Sequence, residues 1–202
     1  MPINIAARRG AKNQRRKAVV AQKRRAEIDA GTTAGWVRLA LADPIQHCLL
    51  SQGLFEVGVG TLIVARGATP YRLTMAGFLL DTYALGVKDA FLSSLSGQEL
   101  ADHLDQISHV APVAPVDPSY ARKLLHDLVV WARISGFPPH RGYPKLEPIF
   151  GNVATATCEV EFRFGFDGKP LLVGDMSDMA RVMPARDNEI TFDADEVWEL
   201  SE

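Results

Sequence analysis

The chain has 202 residues, 47% of them apolar and 23% charged, with a formal net charge of −2, which suits one substantial globular core. No apolar run approaches the ~20 residues that span a bilayer, and the first residues lack the apolar centre of a secretory signal. The two cysteines, Cys48 and Cys158, fit no zinc or redox spacing, so a cytoplasmic protein with reduced thiols is expected.

The near-neutral total conceals a split. Arg8, Arg9, Lys12, Arg15, Arg16, Lys17, Lys23, Arg24 and Arg25 all precede the first acid, Glu27. Removing these nine leaves 13 of the 22 basic residues against all 24 acidic ones, so the remainder carries −11. From Ala6 to Ala30 there is no proline and one glycine, Gly10, among good helix formers. The basic residues fall on every helical face, however, and leave no apolar stripe to dock. Residues 1–30 therefore read as an arm that is helical or disordered alone and becomes an ordered helix against phosphates. A basic arm on an acidic body points to nucleic acid, with RNA or a ribosomal target ahead of DNA. A solubilising tail, an arm folded onto the acidic body and a contact with anionic lipid are the competing readings.

The chain then divides into a hinge at Gly31–Gly35, a single domain over 31–175 and an acidic tail over 176–202. Trp36–Ala42 opens the folded body. Asp43 and Pro44 resemble an N-cap and first helical residue, which predicts a helix over Ile45–Gln52 closed by Gly53. His47 and Cys48 would then diverge as a surface histidine and a packed thiol. Thr61–Ala65 and Leu73–Leu80 are short apolar runs separated by Gly67-Ala68-Thr69-Pro70, which predicts two antiparallel strands buried on both faces. Gly58, Gly60 and Gly77 suggest bulges or close backbone approach.

Asp81 ends the second strand, and Lys88 and Asp89 follow. If Tyr83–Lys88 turns into a helix, Asp81 and Asp89 meet and could share one magnesium ion through oxygen ligands, with Lys88 beside them. The plainer alternative makes Asp81 a turn cap and leaves Lys88 and Asp89 on a solvated face. Lys88–Leu95 is expected to be helical, and a second helix over Gln98–Ser108 takes Ser96 as its cap. The clearest helix begins at Pro118 with Asp117 as N-cap and ends near Ser135, followed by Gly136. Within it, His126 and Asp127 are neighbours that should point apart. In the turn-rich stretch 136–153, His140, Arg141, Tyr143 and Lys145 are polar heads suited either to a phosphate or to the tips of a packed loop. Cys158–Phe166 alternates strictly and predicts a half-buried strand. Asp167-Gly168 predicts a hairpin turn into a return strand at 169–174. The expected fold is α+β, with antiparallel strands at 57–66, 72–81, 158–166 and 169–174 and helices packed on one face.

Three segments, GFLLDTYALGVKDAF (77–91), ARKLLHDLVVWARISGFPPHRGYPKLEPIFGNV (121–153) and CEVEFRFGFDGKPLL (158–172), resemble an uncharacterised bacterial family with no known activity. Its members carry a similar Leu-Gly-Val-Lys run, Gly-Phe-x-Pro-His segment and Phe-Gly-x-Asp-Gly-Lys-Pro hairpin. The resemblance reaches over roughly half the chain and implies one coherent domain. It implies no chemistry.

No Walker loop, Rossmann fingerprint, HExxH, GxSxG or paired CxxC is present. The leading expectation is an accessory protein that binds nucleic acid through Arg8–Arg25. The alternatives are a metal-dependent hydrolase or nuclease using Asp81 and Asp89, and a protein-interaction or defence component using the 136–153 loop.

Overall fold

The computed structural model describes residues 31–109, 111–172 and 191–192. Thr32 accepts the Gly35 N–H through its side chain at 3.1 Å and starts α1 (Thr33–Ala40). The next element differs from expectation: Ile45–Ser51 is a strand, β1. Cys48 and Leu50 enter one core and Leu49 another, the mark of a strand buried on both faces. Proline fits the start of a strand as readily as the start of a helix. Here the cross-strand partner decides, because Cys48, Leu49 and Leu50 face Val64, Ile63 and Leu62.

A short helix, α2 (Leu54–Val57), lies between two left-handed glycines, Gly53 and Gly58. The two strands expected next are β2 (Val59–Thr69) and β3 (Arg72–Asp81), antiparallel and joined across Pro70–Tyr71. Gly86–Leu95 is a fourth strand, β4, rather than the expected helix. Its register runs from Leu73 opposite Leu95 to Asp81 opposite Gly86. Part of the reason is a glycine. Gly77 faces Phe91, and the Phe91 ring occupies the space a Gly77 side chain would take, a cross-strand fit no helix provides.

Ser96 caps α3 (Gly97–Ser108), as expected, and with Glu99 it forms a complete capping box. A short strand, β5 (Val113–Pro115), returns beside β1. Asp117 accepts the Ser119 N–H at 2.7 Å and caps α4 (Pro118–Ile134). The sheet order is β4-β3-β2-β1-β5 with every neighbour antiparallel. The protein is thus α+β, and its helices cover both faces rather than one. Ala121, Leu124, Leu125 and Leu128 of α4 join Leu62, Val64, Phe78 and Leu80 on one side. Leu100 of α3 joins Ile63, Leu73 and Met75 on the other.

After α4 the chain makes α5 (Tyr143–Leu146) and a 3-10 turn over Glu147–Phe150. Arg66 ties this region to the sheet. The residue is 8% exposed, and its guanidinium donates to the carbonyls of Ile149 at 2.5 Å, Phe150 at 3.0 Å and Asp43 at 2.5 Å. Burial lowers its pKa and the Asp43 charge opposes that shift.

The alternating segment 158–166 joins no ladder. Its alternation is real, but Phe162 and Phe164 pack against helices instead of a neighbouring strand. Phe162 lies 5.0 Å from Tyr120 edge-on and 6.0 Å from Phe55, while Phe164 lies 5.7 Å from Trp131. The Lys123 ammonium sits 5.1 Å from the Phe162 ring centroid and donates to the Val160 carbonyl at 2.8 Å. The Asp167-Gly168 turn is present, with both residues at positive φ and Phe166 bridged to Lys169. The return strand shrinks to β6 (Leu171–Leu172), paired in parallel with β7 (Thr191–Phe192). Both cysteines are free thiols, and burial pushes the Cys48 thiol up to about 12. No helix of the described residues is long and apolar enough to cross a membrane.

Gly58 carries the sharpest local demand. It has φ of 82° and lies against the Tyr83 ring, whose hydroxyl is held by the Glu56 carbonyl at 2.7 Å. Gly58→Ala would meet both the left-handed penalty and the ring. It is expected to lower unfolding free energy by about 2–4 kcal/mol, measured by urea denaturation; a loss below about 1 kcal/mol would refute this account.

Candidate functional site

The free side of β4 carries a cleft that takes in residues singled out from sequence for chemistry. Lys88 and Asp89 lie on β4, and Leu79 faces Asp89 from β3. The loop after α4 runs alongside. The His140 N–H donates to the Val87 carbonyl at 2.8 Å, and Gly142 passes so close to the Ala90 carbonyl that a Cβ would come within 2.8 Å of it. These contacts place His140 and Arg141 opposite Lys88 and Asp89. The resulting open cleft has a volume of about 570 Å³ and is lined by Leu79, Lys88, Asp89, His140 and Arg141.

Asp89 accepts the Ala90 N–H at 2.7 Å, and the same oxygen lies 3.3 Å from His140 Nδ1. The Gly142 N–H approaches that nitrogen at 3.4 Å. Two basic side chains, Lys88 and Arg141, thus flank one carboxylate and one imidazole. The cleft is cationic overall and becomes more so when His140 is protonated. Such a set can hold a phosphate oxygen by charge-assisted hydrogen bonds.

Asp81 stands apart. It is 1% exposed, and Oδ1 accepts the N–H groups of Tyr83 at 3.0 Å and Ala84 at 2.8 Å. Oδ2 is buried without a hydrogen-bond partner among the described residues. Burial raises the Asp81 pKa; the accepted Ala84 N–H and the Lys88 charge pull the other way. Asp81 therefore shapes the turn Thr82–Leu85, and the chain exploits that turn twice more: the Thr82 carbonyl accepts from Gly165 at 2.8 Å and the Tyr83 carbonyl from Leu171 at 2.9 Å. The expected helix after Tyr83 is absent, since β4 starts at Gly86. Asp81 does not line the cleft that contains Asp89. Among the described residues no three His, Cys, Asp or Glu side chains gather closely enough to hold a metal ion.

The other polar neighbours sort simply. His47 is exposed and Cys48 buried, as expected. His126 and Asp127 do touch, at 3.0 Å, although adjacent helical residues were expected to diverge; the imidazole is exposed and the carboxylate half-buried, and Asp127 also holds Lys123 at 2.6 Å. Sequence reasoning noted His140 and Arg141 as polar heads but had no means to place them on β4, fifty residues away. Arg8, Arg9, Lys12, Arg15, Arg16, Lys17, Lys23, Arg24 and Arg25 lie outside the described residues.

Comparison with protein-family models, with curated proteins and with solved structures finds no match to this chain.

Proposed function

We propose that this is an accessory protein that binds nucleic acid, RNA ahead of DNA, through the basic residues Arg8–Arg25. The charge split carries the reading: nine bases and no acid over that stretch, on a chain whose remainder is strongly acidic. Such a segment gains affinity by releasing phosphate counterions and needs no sequence-specific contact. The Lys88–His140–Arg141 cleft adds a place on the folded body where a phosphate can be held. The metal-dependent alternative would need Asp81 to serve an ion with a carboxylate that is buried and already caps a turn, so the binding reading ranks above it.

The test compares the full chain with a version beginning at Thr32, for RNA and DNA, at about 50 and 200 mM salt. The full chain is expected to lose roughly 10³-fold or more in affinity across that range if six or more phosphates are contacted. The shortened chain is expected to lose most of the affinity and most of the salt dependence. Unchanged affinity and slope after truncation would overturn the proposal.

A further inference from the structure

We propose that the pocket between α1 and the β2–β3 hairpin receives an unpaired, amine-bearing base of single-stranded nucleic acid. The inference rests on the nucleic-acid reading above and names the kind of strand the body selects.

The pocket has a volume of about 380 Å³; Trp36, Leu39 and Asp43 line one side and Thr69, Arg72 and Thr74 the other. Helix α1 buries Val37 and Ala40 in the core but leaves Trp36 38% and Leu39 59% exposed. Tyr71, between the pocket residues Thr69 and Arg72 on the hairpin turn, is 85% exposed. Two accessible aromatics beside an arginine match the pattern by which proteins stack unpaired bases and hold their phosphates. A duplex keeps its base faces covered and cannot use them.

Asp43 decides what enters. Its carboxylate repels phosphate, so phosphate goes to exposed Arg72 and the base goes inward. A carboxylate accepts from the exocyclic amine of adenine, cytosine or guanine. Uracil instead flanks its one N–H with two carbonyls, which the carboxylate repels. The Asp43 backbone is fixed in advance, because its carbonyl accepts from buried Arg66. Reach is also satisfied. Seven residues lie between Arg25 and the start of α1, and the eight steps they make span at most about 29 Å, so phosphates on the basic stretch and a base in the pocket can belong to one strand.

The test uses the full chain with oligo(A), oligo(U) and a duplex, each of about 10 nucleotides, at one salt concentration. Trp36→Ala and Tyr71→Ala are each expected to weaken oligo(A) binding roughly 5- to 100-fold and to leave duplex binding within about twofold. Trp36→Phe, which keeps a stacking face, is expected to retain most of the affinity. Asp43→Asn is expected to reduce the preference for oligo(A) over oligo(U). Tyr71 is so exposed that its replacement tests the idea even if Trp36→Ala fails to fold. Salt-dependent binding that neither aromatic replacement alters would overturn the pocket and leave the arm standing. Equal losses for single strand and duplex would also overturn it. No binding by the full chain to any of the three would overturn both proposals.

Discussion

Arg66→Met is expected to lower unfolding free energy by about 3–5 kcal/mol. Methionine keeps much of the apolar stem but abandons the carbonyls of Ile149, Phe150 and Asp43, which the guanidinium satisfies together. Each abandoned buried acceptor costs about 1–3 kcal/mol. Arg66→Lys is expected to fall between, near 2 kcal/mol, since one ammonium cannot reproduce the planar fork. Urea unfolding curves of the three proteins provide the check. A loss under about 1 kcal/mol for the methionine variant would mean that water replaces the guanidinium freely and that the clamp is dispensable.

Asp81 should give opposite results for two replacements. Its raised pKa means that the folded protein holds the proton more tightly than the unfolded chain does. The stability associated with this group is therefore complete below the unfolded value, about 3.9, and declines as pH rises through the folded value. Asp81→Asn keeps an oxygen for the Tyr83 and Ala84 N–H groups and removes the buried charge. Relative to the parent it is expected to gain on the order of 1 kcal/mol between about pH 4 and pH 7. Asp81→Ala strips the acceptor from both amides and is expected to lose about 2–4 kcal/mol at either pH. An asparagine variant that instead loses ground as pH rises would contradict the burial argument. The alanine variant should also loosen the Gly165 and Leu171 contacts made by the same turn.

Local chemistry was legible where a short motif fixes it. Ser96 specified a helix cap, Asp117-Pro118 a helix start, Asp167-Gly168 a turn, and the apolar runs around Thr61–Ala65 and Leu73–Leu80 a buried antiparallel pair. Elements whose form depends on a distant partner were not legible. Ile45–Ser51 carries helix-like opening residues and becomes a strand because Leu62–Val64 supplies its ladder. Gly86–Leu95 becomes a strand because Gly77 admits the Phe91 ring. Cys158–Phe166 has the period of a strand and lies instead across α4, where Tyr120 and Trp131 receive its aromatics. The candidate site divides the same way. Lys88 and Asp89 were visible as charged neighbours, and Asp81 was visible as a turn cap beside its catalytic alternative. The approach of His140 and Arg141 to β4 depends on how the loop folds back, which no local spacing encodes.

Both margins of the sheet end in devices that discourage templating. On one side β5 is three residues long and finishes at Pro115, which has no N–H to offer a further strand. On the other, the 140–142 loop occupies β4 at Val87 and crowds Ala90. Edge-to-edge stacking of copies is thus disfavoured at each boundary of the ladder. A macromolecule that recognises this protein is left with its helical, aromatic and loop surfaces.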